Sequence, residues 1–167
     1  MIELRTPISR EAALALRVGD IVSISGRIFA GRDAVLPKIV ALAEKDGLRA
    51  MGIDLTGGII FHTAVSPAGV GPTSSNKLEI ESSIEPLSRA GIRLHLGKGA
   101  ISPQTVEALK RYDAVYAVIP PVTALLEEKT LERDTLAFSE LGMEAFHALM
   151  VRDYQAVIAA ANGESLY

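Results

Sequence analysis

Apolar residues along this chain recur with two periods, and glycine and proline mark where one gives way to the other. Ser9 precedes a short helical pattern running through Leu16, with Glu11 in its first turn, and Gly19-Asp20 then turns the chain into a strand, Ile21-Val22-Ser23-Ile24-Ser25. Gly26 follows, which makes Arg27-Ile28-Phe29-Ala30 a short hairpin partner of that strand. Gly31-Arg32-Asp33-Ala34 opens a helix that continues to about Lys45, with Pro37 tolerated in its first turns, and Gly47 closes it. Ile59-Ile60-Phe61-His62-Thr63-Ala64-Val65 is β-branched and mostly apolar, bounded by Gly57-Gly58 and Pro67, and reads as a central strand.

A loop from Pro67 to Ser75 leads into a helix starting near Asn76. Glu79 stands as in a capping box, Leu78, Ile80, Ile84 and Leu87 form the buried set, and Arg89 and Gly91 mark the end. Ile92-Arg93-Leu94-His95-Leu96 alternates at period two until Gly97-Lys98-Gly99 breaks it. Ser102 is a helix cap and Pro103 a first helical residue, with Val106 and Leu109 facing the core. Ala114-Val115-Tyr116-Ala117-Val118-Ile119 returns as a buried strand stopped by Pro120-Pro121. Thr123 to Glu128 reads as helix, Thr130 to Phe138 as extended chain, and Ala145 to Val151 as strand. This repeated strand-helix-strand rhythm predicts an α/β fold with a mainly parallel central sheet, right-handed crossovers and flanking helices.

Composition narrows the class. With 167 residues, 49% of them hydrophobic, the chain buries a core large enough for one domain spanning residues 1–167. A net charge of -3 argues against a nucleic-acid binder, since backbone affinity needs clustered surplus cation, and leaves small anions as ligands. The start, Met1-Ile2-Glu3-Leu4-Arg5, is not a secretory signal, and no run approaches the roughly 18 apolar residues of a membrane span; a cytoplasmic, soluble protein is expected. Zero cysteine excludes disulfides, thiolate metal sites and cysteine nucleophiles.

Candidate chemistry gathers on glycine-rich loops. Gly71-Pro72-Thr73-Ser74-Ser75-Asn76-Lys77 combines hydroxyls, a helix start and a cation; by residue type alone it reads first as a helix cap, and in combination with the second lysine loop as a cradle for carboxylate or phosphate. Lys98 stands between two glycines, either a solvated turn residue or an unobstructed ammonium beside a closely approachable backbone. Arg32 is either an exposed arginine or a planar fork for a carboxylate. In an open α/β sheet, ligands collect at the carboxyl ends of strands, where these loops are expected to converge. His62, His95 and His147 lack the spacing of a metal-binding pair and read as packed or hydrogen-bonded, so no metal is assigned to this chain. Glu127-Glu128-Lys129 and Glu132-Arg133-Asp134 read as a solvated face.

Taken in order, Leu4-Arg5-Thr6-Pro7, Leu16-Arg17-Val18-Gly19-Asp20, Gly31-Arg32-Asp33-Ala34, Gly71-Pro72-Thr73-Ser74-Ser75, Gly97-Lys98-Gly99 and Leu141-Gly142-Met143-Glu144-Ala145 resemble the β subunit, or C-terminal domain, of class I fumarate hydratases and L-tartrate dehydratases. The resemblance covers nearly the whole chain. It implies a swivelling β/β/α domain that pairs with an α subunit, or N-terminal domain, carrying a four-iron four-sulfur cluster on three cysteines, with no cofactor bound by this chain alone. It further implies a hydro-lyase acting on a dicarboxylate, fumarate to malate first and tartrate second. Carried over by motif, Thr73 and Lys98 are the catalytic residues, and Arg32, Thr73, Ser74, Lys77 and Lys98 bind substrate. A domain that completes another subunit's site is expected to expose an apolar patch, which leaves room for a homodimer in isolation.

The sequence departs from the family pattern at several points. Lys77 stands where arginine is usual, Leu36 where histidine is, Pro120-Pro121 where Gly-Gly is, and Ser66-Pro67 where Gly-Pro is. These departures keep a second reading open, a non-catalytic anion-binding or assembly domain that kept the fold.

Overall fold

Gly26 does not turn the chain back. In the computed structural model, which describes residues 1–66, 69–73, 77–119 and 123–167, with side chains over 1–65, 81–119 and 126–167, Ile21–Gly31 is one strand of 11 residues, β2. Its register against β8 (Phe146–Ala161) shifts between Ile24 and Gly26, and Gly26 adopts φ +114°. A glycine at positive φ within a strand is read from sequence as a turn, yet here Gly26 lies opposite a bulge: between the pairs Ile24–Tyr154 and Gly26–Val151 it is β8 that carries the extra residue, with Asp153 at φ 54°, and pairing resumes beyond it. The expected hairpin is therefore absent.

The remaining strands are β1 (Ile2–Arg5), β3 (Ile59–Ser66), β4 (Gly69–Thr73), β5 (Leu94–Gly97), β6 (Val115–Val118), β7 (Thr130–Ala137) and β9 (Glu164–Ser165). Strands β2, β3, β5 and β6 run parallel to their neighbours, and β8 pairs antiparallel with both β6 and β2. The sheet thus closes into a five-strand ring, β2-β3-β5-β6-β8, of mixed direction. The fold is mixed α/β, as expected, but the anticipated mainly parallel sheet is corrected by β8. This 16-residue strand was foreseen only as far as Val151, and its length lets it bridge the two ends of the parallel set. On the outside, β1 pairs with β2, β4 with β3, and β7 and β9 with β8. The stretch expected to be a loop after Ser66 contains β4, which folds back antiparallel on β3.

The helices follow their sequence signals. In α1 (Arg10–Leu14) Ser9 caps the first turn by accepting from the Ala12 amide, and in α5 (Pro103–Arg111) Ser102 accepts from that of Thr105. Between them lie α2 (Leu36–Glu44), the single turn α3 (Gly47–Ala50) and α4 (Lys77–Arg89); α6 (Thr123–Glu128) follows α5. Gly47 starts α3 rather than ending α2, because the residue taking left-handed backbone there is Asp46 (φ 57°).

Pleating sends alternate side chains of each ring strand to opposite faces. Inside, Ile28, Ala30, Ile59, Phe61, Leu94, Leu96, Val115, Ala117 and Leu149 fill one core. Outside, Ile60 and Phe146 lie under Val35, Leu36, Ile39 and Leu87 from α2 and α4 with their flanks, and Tyr116 and Ala160 under Val106 and Leu109 of α5. With both faces covered, β5 is buried at every position, so the polar member of its alternation, His95, is buried rather than solvated. Among the described residues, no helix is long and apolar enough to cross a membrane.

Candidate functional site

Strand register fixes which loops meet. Gly31 pairs with His62, Phe61 with Leu96, and Gly97 with Val118, so Gly31, His62, Gly97 and Val118 lie on one line across four parallel strands. Arg32, Thr63 and Lys98 each stand one residue beyond that line, Arg32 and Lys98 just past the carboxyl ends of β2 and β5 and Thr63 where β3 leaves its parallel neighbours and continues against β4 to Ser66. Thr73, in β4, pairs with Thr63. The loop after β2 and the loop after β5 are two strand spacings apart, about 10 Å between backbones. The convergence anticipated from sequence is therefore present for Arg32, Thr73 and Lys98. Lys77 is the first residue of α4; its side chain and that of Thr73, and the whole of Ser74, lie outside the described residues, as do Pro120-Pro121.

Arg32 is half-buried and paired. Its Nε donates to Glu144 Oε2 at 3.4 Å and a terminal guanidinium nitrogen makes a close ion pair with Oε1. Glu144 reaches it because Ala30 pairs with His147 at the start of β8, which brings the preceding 3-10 helix, Ser139–Glu144, over the end of β2. Two oxygens on one edge of the guanidinium fix its plane. Glu144 was part of a motif noted in the sequence but carried no assigned role; the only hint was that its motif carries the same resemblance as Gly31-Arg32-Asp33-Ala34.

Lys98 is exposed, and its loop is held from below. Tyr116 in β6 donates its hydroxyl to the Gly99 carbonyl at 3.1 Å, and a Cβ on Gly97 would stand 3.0 Å from that same oxygen. Gly99 takes φ +80°. The glycines flanking Lys98 thus have separate reasons: the first makes room for Tyr116, the second allows the left-handed turn. Burial pushes the Tyr116 phenol above its ordinary range, so it remains a donor at any working pH.

Beside this end of the ring, His62 Nε2 lies 3.1 Å from His95 Nδ1, and His95 Nε2 lies 2.8 Å from Ser88 Oγ of α4. Burial lowers the His62 imidazole to about 4, with the Asp33 charge opposing, and drives His95 well down, helped by the neighbouring ring. Both are neutral near pH 7. The expectation of hydrogen-bonded histidines holds, although their contact with each other does not follow from sequence. His147, in β8, has its Nδ1 3.3 Å from Thr135 Oγ1. Among the described residues, no cluster of three histidine, aspartate or glutamate side chains is placed to hold a metal ion. The acidic stretch near residue 130 is a partly exposed face, with Arg133 paired to Glu127.

The family model for the fumarase C-terminus matches residues 1–167, the whole chain. The chain belongs to the fumarase C-terminal family. It is similar to the L(+)-tartrate dehydratase subunit beta of Escherichia coli (strain K12), 28% identical over 168 residues covering 94% of this chain and 81% of that protein. A putative fumarate hydratase class I of Geobacillus stearothermophilus is 31% identical over all of this chain, which spans 34% of that longer protein. A putative L(+)-tartrate dehydratase subunit beta of Methanocaldococcus jannaschii is 30% identical, over 91% of this chain and 84% of that protein. In this chain, the motifs noted above fall at the ends of β1, β2 and β5, on the turn before β2, on the 3-10 helix before β8 and, for the described residues Gly71–Thr73, at the end of β4.

Proposed function

We propose that this chain is the β-type subunit of an iron–sulfur-dependent hydro-lyase, adding water to or removing it from a small dicarboxylate, with fumarate and malate the first candidates and tartrate the second. The observation that carries this reading is the common level of Arg32, the Thr63–Thr73 pair and Lys98 at one end of the ring, in a chain of the fumarase C-terminal family.

Hydrating a C4 alkene diacid requires both carboxylates to be clamped and the charge that develops on one of them to be stabilised. Arg32, held flat by Glu144, is suited to a planar carboxylate; Lys98 and Lys77 are point charges for the charge that builds up during reaction. The role left to Thr73 is to offer a hydroxyl at the reacting carbons. That group is a weak base by itself, so proton transfer requires an acid or base from the partner.

The donor set of this chain does not hold an iron–sulfur cluster, because it contains no cysteine. The cluster belongs to an α-type partner carrying three ligating cysteines, and the roles given to this chain are confined to binding and proton handling. The domain swivels against that partner to close the shared site. A second reading, an anion-binding or assembly domain without catalysis, is favoured by Leu36, which is buried in the outer core at the position where the resemblance implies histidine.

Assay of the chain alone, of a cysteine-bearing α-type partner alone, and of the two co-expressed anaerobically separates these readings. Turnover of a C4 dicarboxylate only in the mixture supports the hydro-lyase. Dicarboxylate binding by the chain alone, without turnover in the mixture, supports the binding domain.

A further inference from the structure

His62, His95 and Ser88 form a buried chain that carboxylate binding does not use. Their residues are 1%, 0% and 4% exposed. Ser88 Oγ donates to the Ile84 carbonyl, one turn back in α4, at 2.7 Å. A hydroxyl has one proton, so Ser88 can only accept from His95, whose Nε2 lies 2.8 Å away and must carry the hydrogen. A neutral imidazole has one N–H, so His95 Nδ1 is bare and accepts from His62 Nε2 at 3.1 Å. The same rule leaves His62 Nδ1 bare, and it is a buried nitrogen without a partner among the described residues. The chain cannot conduct a proton, because it ends on a helix carbonyl. What it fixes is the tautomer of each ring.

We propose that Ser88 and His95 form a tautomer lock that holds His62 Nδ1 as an uncharged acceptor for a neutral O–H donor, water or a ligand hydroxyl, at the site-bearing end of the ring. Two further observations support it. His62 lies on the line of Gly31 and Gly97, immediately before Thr63, so its backbone stands at the level of Arg32 and Lys98, while its ring lies on the helix-facing side of the sheet with His95 and Ser88. A buried acceptor left unmade is also costly and calls for a donor. A bare lone pair near the Asp33 charge repels a carboxylate and admits a hydroxyl, which divides labour with the cationic residues. Ser88 and His95 are positioning residues, acting through His62. The ligand-hydroxyl arm rests on the hydro-lyase reading; the lock itself does not.

Long-range 1H–15N spectra of the full 15N-labelled chain test the lock without any activity. The wild type should show the Nε2–H tautomer at both His62 and His95, Ser88→Ala should redistribute both, and Ser88→Thr should restore them. An Nδ1–H tautomer at His62 in the wild type, or unchanged tautomers in a folded Ser88→Ala, overturns the lock; if Ser88→Ala does not fold, the wild-type spectrum decides. Adding malate, then fumarate, to the chain assembled with its partner identifies the donor. An Nδ1 resonance already hydrogen-bonded without ligand supports water, and one that shifts with malate only supports the ligand hydroxyl. A bare nitrogen in every state overturns the acceptor role.

Discussion

Glu144 grips one edge of the Arg32 guanidinium with both carboxylate oxygens, joining the end of β2 to the 3-10 helix before β8. The pair ties the 3-10 helix to the ring at the point where the proposed substrate fork is presented. Glu144→Gln removes the charge that orients Arg32 while keeping the side chain's size. It should lower stability by about 1 kcal/mol, as expected for a partly exposed charged hydrogen bond, measured as a shift in denaturant midpoint. In the assembled enzyme it should raise KM about tenfold, equivalent to roughly 1.4 kcal/mol of binding. An unchanged KM would show that Arg32 does not depend on this partner.

The buried histidine pair predicts acid sensitivity of a defined sign. Folding lowers the His62 pKa from 6.5 to about 4 and holds His95 well below its ordinary value, so below pH 6.5 the unfolded chain binds protons that the folded chain refuses. Stability is complete above about pH 6.5 and is lost as pH falls towards 4. The His62 contribution over that window is on the order of 3 kcal/mol. Unfolding free energies at intervals from pH 7.5 to 4 should fall more steeply for wild type than for a His62→Gln variant. Parallel curves would refute the neutral-pair account.

Gly97 and Tyr116 control the Lys98 loop. Gly97→Ala places a methyl 3.0 Å from the Tyr116 hydroxyl and should displace its bond to Gly99; Tyr116→Phe removes that bond while keeping the ring. Both should reduce kcat/KM of the assembled enzyme, Gly97→Ala more, with stability costs of about 1–3 kcal/mol from overpacking and about 1 kcal/mol from the lost hydrogen bond. Comparison of kcat/KM with thermal midpoints checks this. A loss of activity no larger than the stability change implies would remove the loop from the site.

Much of this architecture was legible locally. Ser9, Ser102 and Pro103 announced their helices, and the apolar run from Ile59 announced β3, because capping and burial on both faces act over a few residues. Ring closure was not legible. Gly26 has the same composition signal opposite a bulge in β8 as in a turn, Pro72 and two glycines hide β4, and the length of β8 depends on partners in β2 and β6 more than 100 residues earlier or some 40 residues away. The site divides in the same way. Arg32 and Lys98 sit on loops whose glycines speak locally, whereas the His62–His95 contact and the Glu144–Arg32 pair are products of tertiary register.

Lys98 offers the most direct test of the central claim, because it is exposed and its removal leaves the core intact. The measurement is steady-state turnover of fumarate, malate and tartrate by the chain co-assembled with its cysteine-bearing partner, for wild type and Lys98→Ala. The account predicts turnover of at least one of these acids by wild type, and a loss of kcat on the order of 100-fold in Lys98→Ala, the size expected for removing one group that stabilises developing charge, with an unchanged thermal midpoint. Absence of turnover on every C4 dicarboxylate, or full activity in Lys98→Ala, would contradict it.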